Sequence, residues 1–485
     1  MRKLLALISL LIFPSLAWAH IGSPNVIYEG LAGPYPLRVV IRPPGVVPGL
    51  ADISVRVLQG RVDRITVLPV RYDTGSKGSP APDEASPVRG EANLYGAQLW
   101  LMTSGAHSIF VNVEGPAGPG TTVIPINSVA TTRLQIPWWF GGALLAFGVF
   151  LVLALVSIVG AAVREGVLPP GEPAARSWRA RLAMIVASVV LVLLLFGGRK
   201  WWDSVDSEYR NNRLYKPEPI AASLRAQDGK RILALERLDN RRGRPRLIPD
   251  HGKLMHVFLV RKPEQDAFAH LHPIHIKAHV YESVLPPLPV GNYRLYADVT
   301  HESGFSQTLT TELSLTNSVE SSDLSDPDDA WTVATPTPSQ ADQTTFALPD
   351  GLTLKWDSAG PLIAGNETSL RFRLLETNGA PAVLEPYLGM QGHAVIEEQE
   401  GRVFTHIHPF GNISMASQQR FVERERTRGA KPNLEVVCGL PNKGDAIVFP
   451  YEFPRAGQYR IWVQVKTHGR IMTAFFDARV IEKAT

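Results

Sequence analysis

Two short histidine motifs are the residues of this sequence best suited to chemistry: HLHP at 270–273 and HIHP at 406–409. Alternate residues of a β-strand point to the same face, about 6.6 Å apart along the chain, so each pair can direct two imidazoles at one point. The proline after each pair removes a backbone donor and disfavours helix in the residue before it, which predicts a position near a strand end. Two imidazoles on one face form half of a metal site.

The sequence around these motifs repeats. A histidine precedes each pair, 14 residues earlier for His256 and 13 residues earlier for His393. Further on, GNYRLYADV from Gly291 matches GQYRIWVQV from Gly457, and each is followed by a histidine. The chain therefore carries a duplicated module. The predicted metal ligands are His256, His270, His272 and His301 in the first copy, and His393, His406, His408, His468 and Met390 in the second.

The ligand types indicate which metal to expect. Neutral imidazoles suit copper, zinc and nickel, whereas calcium and magnesium need oxygen ligands. Thioethers select Cu(I), which makes Met390 a soft addition to the second site. We predict copper, with zinc as the second choice. The alternative is that these histidines form polar strand edges and hydrogen bonds.

The start of the chain and its apolar segments predict a compartment. Residues 1–19 read as a signal peptide, with a basic start, an apolar middle and the small-residue ending Ala17-Trp18-Ala19. Two further apolar segments, 137–163 and 182–198, are long enough to span a membrane. The loop between them, 164–181, has four arginines against two acids, Glu165 and Glu172, which indicates the cytoplasmic side. Both large portions are then expected in the periplasm, anchored to a bacterial inner membrane.

Composition excludes some classes of protein. The 485 residues have a net charge of +4 with acids and bases nearly balanced, which gives no nucleic-acid footprint. The single cysteine, Cys438, excludes an internal disulfide, so exported domains must be held by ordinary cores.

Short alternating segments and abundant proline and glycine predict a mainly β fold: three Ig-like antiparallel β-sandwiches plus a two-helix transmembrane hairpin. A strand pattern shared by GAHSIFVNVEG at Gly105 and the two glycine-led repeats links the first sandwich to the others. In it, His107 falls where the repeats have Tyr293 and Tyr459. The expected boundaries are a sandwich at 20–135, a first His-rich module at 217–317, a linker at 318–343 and a second module at 344–482.

His20 offers a separate metal site. Cleavage after residue 19 would make it the first residue, so that its α-amine and imidazole form a chelating pair. With His107 as a third nitrogen ligand, this would be a T-shaped copper site. The alternative is that His107 replaces a core tyrosine.

Two family resemblances follow from these features. A β-sandwich exported with histidine first resembles the periplasmic copper-resistance protein C family, although the Met-rich loop of that family is missing here. The segments HVFLV, HLHP and GNYRLYADVT resemble His-rich Ig-like domains of bacterial membrane proteins near the YtkA-like group. The first resemblance implies copper binding within 20–135, and the second implies the sandwich fold over 217–482.

The motifs of common enzymes are absent from the sequence: it has no nucleophile elbow, phosphate loop, HExxH or paired-carboxylate signature. The sequence therefore favours a binding protein over an enzyme. We predict a membrane-anchored periplasmic metal-binding protein that handles copper, with a metal ion, the membrane and an envelope protein as partners and no nucleic acid. The alternatives are a scaffold of Ig-like domains that docks envelope proteins, and a mononuclear copper redox enzyme.

Overall fold

The computed structural model describes residues 25–165, 169–172, 178–238, 245–317, 324, 326–334, 343–357, 360–429, 434 and 445–483. It has two compact units, one formed by 1–128 together with 216–485, and the other by 129–215. Antiparallel sheets dominate the first unit, and two long apolar helices make up most of the second. The predicted mainly β fold with a helical hairpin is thus confirmed.

Two sheets form the N-terminal sandwich, with the strand orders β1-β2-β3-β7-β6 and β5-β4-β8-β9. Along β2, the alternate residues Leu37, Val39 and Ile41 are buried in the core that both sheets share, as the period of two requires. The strands are β1 (Val26–Ala32), β2 (Tyr35–Arg42), β3 (Gly49–Val57), β4 (Arg64–Arg71), β5 (Asp83–Glu84), β6 (Ser86–Pro87), β7 (Leu94–Leu101), β8 (Gly105–Glu114) and β9 (Gly120–Ser128).

The second unit is a hairpin of helices α1 (Trp138–Glu165) and α2 (Trp178–Glu208). Both helices are long and apolar enough to cross a membrane by length and composition. The helix α2 extends beyond the predicted span 182–198, because the residues after Gly198 continue it to Glu208 without a proline or another glycine. Arg133 pairs with Asp206 at 2.8 Å, so the chain enters and leaves the hairpin at the same end.

The first His-rich module has one sheet of order β10-β11-β16-β15 and one of order β12-β17-β13-β14-β19, with β18 also paired to β17. Aliphatic residues from both sheets form one core. The strands are β10 (Ile220–Gln227), β11 (Lys230–Arg237), β12 (Leu247–Ile248), β13 (His256–Lys262), β14 (Ala267–Leu271), β15 (Ile274–Lys277), β16 (Val280–Val284), β17 (Gly291–His301), β18 (Ser306–Leu315) and β19 (Ala330–Val333).

The second module also has two sheets, of order β20-β21-β23-β26 and β22-β28-β27-β24-β25, around a core of its own. Its elements are β20 (Thr345–Ala347), β21 (Thr353–Trp356), β22 (Leu362–Ile363), β23 (Glu367–Leu375), β24 (His393–Glu398), β25 (Phe404–Ile407), α3 (Met415–Thr427), β26 (Ala446–Glu452), β27 (Gly457–Thr467) and β28 (Arg470–Ile481).

The repeat seen in the sequence is also a repeat of structure. In both modules the strand that begins with a histidine lies between an HxH strand and a glycine-led strand, as β13 lies between β14 and β17, and β24 between β25 and β27. The tyrosine near the start of each glycine-led strand also makes the same hydrogen bond, to a backbone carbonyl four residues earlier. Tyr293 donates to the carbonyl of Pro289 at 2.7 Å, and Tyr459 to that of Arg455 at 2.8 Å.

Aromatic residues join the two modules face to face. Phe268 stacks on Trp462 with ring centroids 5.0 Å apart, and Tyr296 stacks on Phe404 at 3.8 Å. Glu397, fully buried between the modules, accepts hydrogen bonds from Tyr296 at 2.6 Å and from Gln265. This interface places the HxH ends of β14 and β25 beside each other.

Two elements were not expected from the sequence. Strand β19 lies inside the predicted linker 318–343, because Ala330–Val333 pairs with the open edge of β14. Helix α3 lies in the segment after HIHP and is capped by Ser414, whose side chain accepts from the backbone N–H of Ser417. Neither segment has a strong apolar period of its own, so long-range contacts decide its conformation.

The loop that leads into α3 is part of the N-terminal sandwich. Phe410 and Ile413 lie in that sandwich's core, and Gly411 forms a bridge to Tyr28. A Cβ on Gly411 would lie 1.9 Å from the carbonyl oxygen of Ile27, and its φ is +113°, so only glycine fits here. The residues just after HIHP are thereby fixed by the first sandwich.

Candidate metal centre

Seven histidines lie together at the end of the interface between the two modules. We call them the histidine cluster: His251, His256, His270, His272, His393, His406 and His408. All seven side chains are buried. The donor atoms of His256, His270 and His272 lie within 4.8 Å of one another, and so do those of His393, His406 and His408. We call these sets the first triad and the second triad.

Matching turns hold the histidine that begins each triad. Asp250 and Lys253 form one turn and Tyr387 and Met390 the other, and each pair exchanges two backbone hydrogen bonds. The carbonyl of Asp250 lies 3.1 Å from His256 Nε2, and the carbonyl of Tyr387 lies 3.1 Å from His393 Nε2. A carbonyl oxygen only accepts, so in each neutral ring Nε2 carries the proton and Nδ1 presents a lone pair.

The partners of the first histidine in each HxH motif favour the opposite tautomer. His270 Nδ1 lies 2.8 Å from Gln464 Oε1, and the amide nitrogen of Gln464 donates to Thr473. His406 Nδ1 faces Asp298 Oδ2 at 3.5 Å. The amide oxygen of Gln464 only accepts, so His270 Nδ1 carries the proton and His270 Nε2 presents the lone pair. An ionised Asp298 favours the same tautomer in His406.

Within each triad two of these lone pairs face each other. His256 Nδ1 lies 3.2 Å from His270 Nε2, and His393 Nδ1 lies 3.1 Å from His406 Nε2. With the protons on the opposite nitrogens of each pair, neither contact is a hydrogen bond between neutral rings. Two imidazole nitrogens bound to one tetrahedral ion at 2.0–2.1 Å are about 3.3 Å apart. The spacing is that of two ligands of one metal ion.

A third nitrogen completes each triad. His272 Nδ1 lies 2.9 Å from Asp329 Oδ1, and the same oxygen accepts from the backbone N–H of His272 at 2.7 Å. His272 Nε2 and both ring nitrogens of His408 are buried without a hydrogen-bond partner among the described residues. Buried polar atoms are rarely left unpaired. A bound ion would account for these nitrogens, and the carboxylate–histidine pair is the usual support of a metal ligand.

The supporting residues are exchanged between the modules. Gln464 of the second module supports His270 of the first, and Asp298 of the first module faces His406 of the second. Gln464 lies opposite His393 in its own sheet, just as Asp298 lies opposite His256. The two triads are therefore related by an approximate two-fold arrangement, and each depends on the other module.

Burial makes the charged form of these imidazoles unfavourable. It lowers the pKa of His256 to about 4, helped by the neighbouring His251. Burial, followed by repulsion from other cluster imidazoles, also holds the pKa of His270, His393, His406 and His408 well below the usual value. At neutral pH these rings are thus in the neutral form that binds metal ions.

Burial has the opposite effect on the pKa of the acidic residues at the edge of the cluster. Burial raises the pKa of both Asp298 and Asp329 to about 7. A cation bound to the imidazoles would favour the ionised carboxylates. His272, Asp326 and Asp329 also form a group of converging donor atoms, but Asp326 is engaged with Lys253 at 2.6 Å.

The other predicted ligands lie outside the triads. His301 is held by the carbonyl of Pro245 at 3.2 Å and by Gln307 at 3.0 Å. His468 lies in the turn between β27 and β28 with 53% of its side chain exposed. Met390 packs against the core of the N-terminal sandwich.

The proposed pair of His20 and His107 is described in part. His20 lies outside the described residues. His107 is buried in β8, and its Nδ1 lies 3.1 Å from the carbonyl of Gly105. Burial lowers its pKa. It thus occupies a strand position like that of Tyr293 and Tyr459, and copper binding there stays a prediction.

Several residues of the site were not among the predicted ligands. His251 belongs to the cluster but has no counterpart in the second module, where the sequence has Leu388. Asp298, Gln464, Asp329 and Tyr387 act through other residues and have no motif of their own. The only available signal was the position of Asp298 and Gln464 within the repeated glycine-led segments.

Comparisons with known proteins give a family for the second module. Residues 344–482 match a family described as a domain of unknown function, DUF8832. No curated protein matches. The resemblances to the YtkA-like group and to the copper-resistance protein C family stay predictions.

Solved structures give distant likenesses. The ICAM-5 D1–D4 ectodomain fragment has 9% identity and a TM-score of 0.14, covering 90% of this chain and 74% of its own. A chimeric titin Z1Z2–Z1Z2 tandem has 11% identity and a TM-score of 0.14, with coverage of 55% and 100%. Escherichia coli alpha-2-macroglobulin has 9% identity and a TM-score of 0.17, with coverage of 94% and 30%. These scores are too low to carry an argument.

Proposed function

We propose that this chain is a membrane-anchored periplasmic protein that binds copper through two three-histidine sites. The observation that carries the proposal is the pair of short contacts between imidazole lone pairs, 3.2 Å in the first triad and 3.1 Å in the second. In these tautomers the contacts are repulsive without a cation, and their length matches the spacing of two ligands on one ion.

The ligand set favours copper over other ions. Three neutral imidazoles without a thiolate or a carboxylate ligand suit copper and zinc. Among divalent first-row metals, the affinity order places copper first for nitrogen ligands. A three-imidazole site also suits Cu(I), which accepts low coordination numbers. Zinc remains the second choice.

The sequence supports the location. The signal-like segment 1–19, the two apolar helices and the arginine-rich loop 164–181 together favour a periplasmic position for both large portions. In that compartment the protein would hold copper at the membrane surface, as expected of a protein of copper homeostasis.

The test is the metal content of the full-length protein purified in detergent from cells grown with both copper and zinc. We expect about two equivalents of metal, mainly copper. Replacing both His406 and His408 by Ala should remove about one equivalent. The matched control replaces His275 and His468, of which the former is exposed in β15 and the latter in the β27–β28 turn.

Folding of each variant is checked without metal, by the denaturation midpoint in the presence of a chelator. A folded His406/His408 variant with undiminished metal content would overturn the assignment of these residues. Metal-free wild-type protein that takes up neither ion would overturn the proposed function itself.

A further inference from the structure

The two triads form one continuous cluster of rings rather than two separate sites. Ring centroids within a triad lie as far apart as 5.4 Å, for His256 and His270. Across the module boundary, His406 lies 5.5 Å from His256 and 5.6 Å from His270, and His393 lies 6.3 Å from His270. The separation across the boundary is thus close to the separation within a triad.

The donor atoms nevertheless converge on two points. Each triad satisfies the 4.8 Å mutual distance on its own, as two separate groups of three. Each triad also has its own pair of facing lone pairs. The cluster is therefore arranged for two ions in neighbouring positions.

His251 makes the cluster asymmetric. It belongs to the first module, but its ring lies 4.7 Å from His408 and 5.8 Å from His393. Its Nε2 is buried without a hydrogen-bond partner among the described residues. In the second module the matching turn has Leu388, with the same φ of 50°. The seventh imidazole is thus nearer to the second triad than to the first, where its ring lies 6.1 Å from His256.

Three carboxylates lie at the edge of the cluster. Asp298 Oδ2 lies 3.5 Å from His406 and Asp329 Oδ1 lies 2.9 Å from His272. Asp250 Oδ1 lies 3.7 Å from His251 Nε2. Buried cations are tolerated where opposite charges are close, and three such groups reduce the repulsion between two neighbouring ions.

We infer that the cluster is a single dinuclear copper centre built across the module interface, in which His251 is an additional ligand of the ion held by the second triad. The inference rests on the proposed function and deepens it. The two ions would differ, one held by three imidazoles and the other by four. Each module would supply ligands or supports to both ions.

The test is electron paramagnetic resonance of full-length protein in detergent, loaded with two equivalents of Cu(II). A dinuclear centre should show magnetic coupling, as a half-field transition or as a spin count well below two per bound pair of ions. Two bound ions with a full spin count and no sign of interaction would overturn the dinuclear centre while leaving copper binding intact. Failure to bind copper would instead overturn the proposed function.

A second measurement concerns His251. The His251→Leu variant reproduces the residue that the second module accepts at the same backbone conformation, so it should fold. We expect it to keep the ion of the first triad, to bind the other ion about 10- to 100-fold more weakly, and to change the spectrum of that ion only. The matched control is His275→Leu. A His251→Leu variant with wild-type affinities and an unchanged spectrum would remove His251 from the ligand set.

Discussion

Gln464 of the second module supports His270 of the first across the module interface, with Oε1 of the amide 2.8 Å from Nδ1 of the imidazole. The amide is oriented by Thr473, to which its nitrogen donates at 3.1 Å. The tautomer of a histidine in the first module is therefore set by a residue almost two hundred positions later in the chain.

Replacing Gln464 by Leu should weaken metal binding at the first triad. Supports of this kind typically change metal affinity by 10- to 100-fold when they are removed. Competition titrations with a chromophoric chelator would measure the loss. The control is Gln458→Leu, at an exposed position of the same strand β27. Equal affinities in the two variants would contradict the role of Gln464.

Removal of metal should make stability depend on pH. Burial lowers the pKa of all seven cluster histidines below their usual value of about 6.5. Below that pH the unfolded chain binds protons that the folded chain excludes, so the free energy of unfolding falls as pH falls. For His256 the window runs from about 6.5 down to about 4.

Three carboxyls act against this trend, since burial raises the pKa of Asp298, Asp329 and Glu397. They are outnumbered, and each imidazole contributes up to about 1.4 kcal/mol per pH unit. We expect chelator-treated protein to unfold at clearly lower denaturant concentration at pH 5.5 than at pH 7.5. A midpoint that rises on acidification would show that the carboxyls dominate.

Replacing Glu397 by Ala should weaken the contact between the two modules. The buried carboxylate accepts from Tyr296 and Gln265 and lies 3.2 Å from Arg294. Its loss leaves these donors without their acceptor and costs about 3–5 kcal/mol of unfolding free energy. Chemical denaturation would measure this loss, and metal affinity should fall with it. The exposed Glu400→Ala serves as the control and should change stability by less than about 1 kcal/mol.

Phe410 links the second triad to the N-terminal sandwich, because its ring stacks on His408 with centroids 5.1 Å apart and is buried in that sandwich's core. Phe410→Ala should cost about 3–5 kcal/mol of stability and weaken the ion of the second triad. Phe410→Leu should restore most of the stability but not the ring contact. If Leu restored both fully, the stacking would have no part in metal binding.

The proposed periplasmic location predicts the behaviour of reporter fusions. A reporter placed after Gly171 should be cytoplasmic, and reporters after Gln135 or Asp342 should be exported. Alkaline phosphatase and a fluorescent protein that folds in the cytoplasm distinguish the two sides. Phosphatase activity from the Gly171 fusion would overturn the topology.

The sequence predicted the mainly β fold and most of the clustered histidines as candidate ligands, but not the cluster that they form. His256, His270, His393 and His406 could be found because strand period and repeat spacing place them on equivalent faces. Their meeting could not, since it depends on stacking between modules, such as Phe268 on Trp462. His301 and His468 follow the two glycine-led segments, which repeat as clearly as the HxH motifs do. The ends of β17 and β27 nevertheless lie away from the triads. The spacing of residues along a strand predicts which side chains share a face of the sheet. The surface that packs against that face is decided by long-range contacts.

The matching turns carry different residues, His251 in one module and Leu388 in the other, and a duplication within one chain permits such a difference. Two identical subunits around a symmetry axis must carry the same residue at both places, so any change in one half appears in the other. A tandem fusion is free of that constraint, and one half can diverge while the other keeps the ancestral residue. Mutational drift in such a fusion can thus tune two neighbouring ions to different reduction potentials, which a symmetric homodimer could not do.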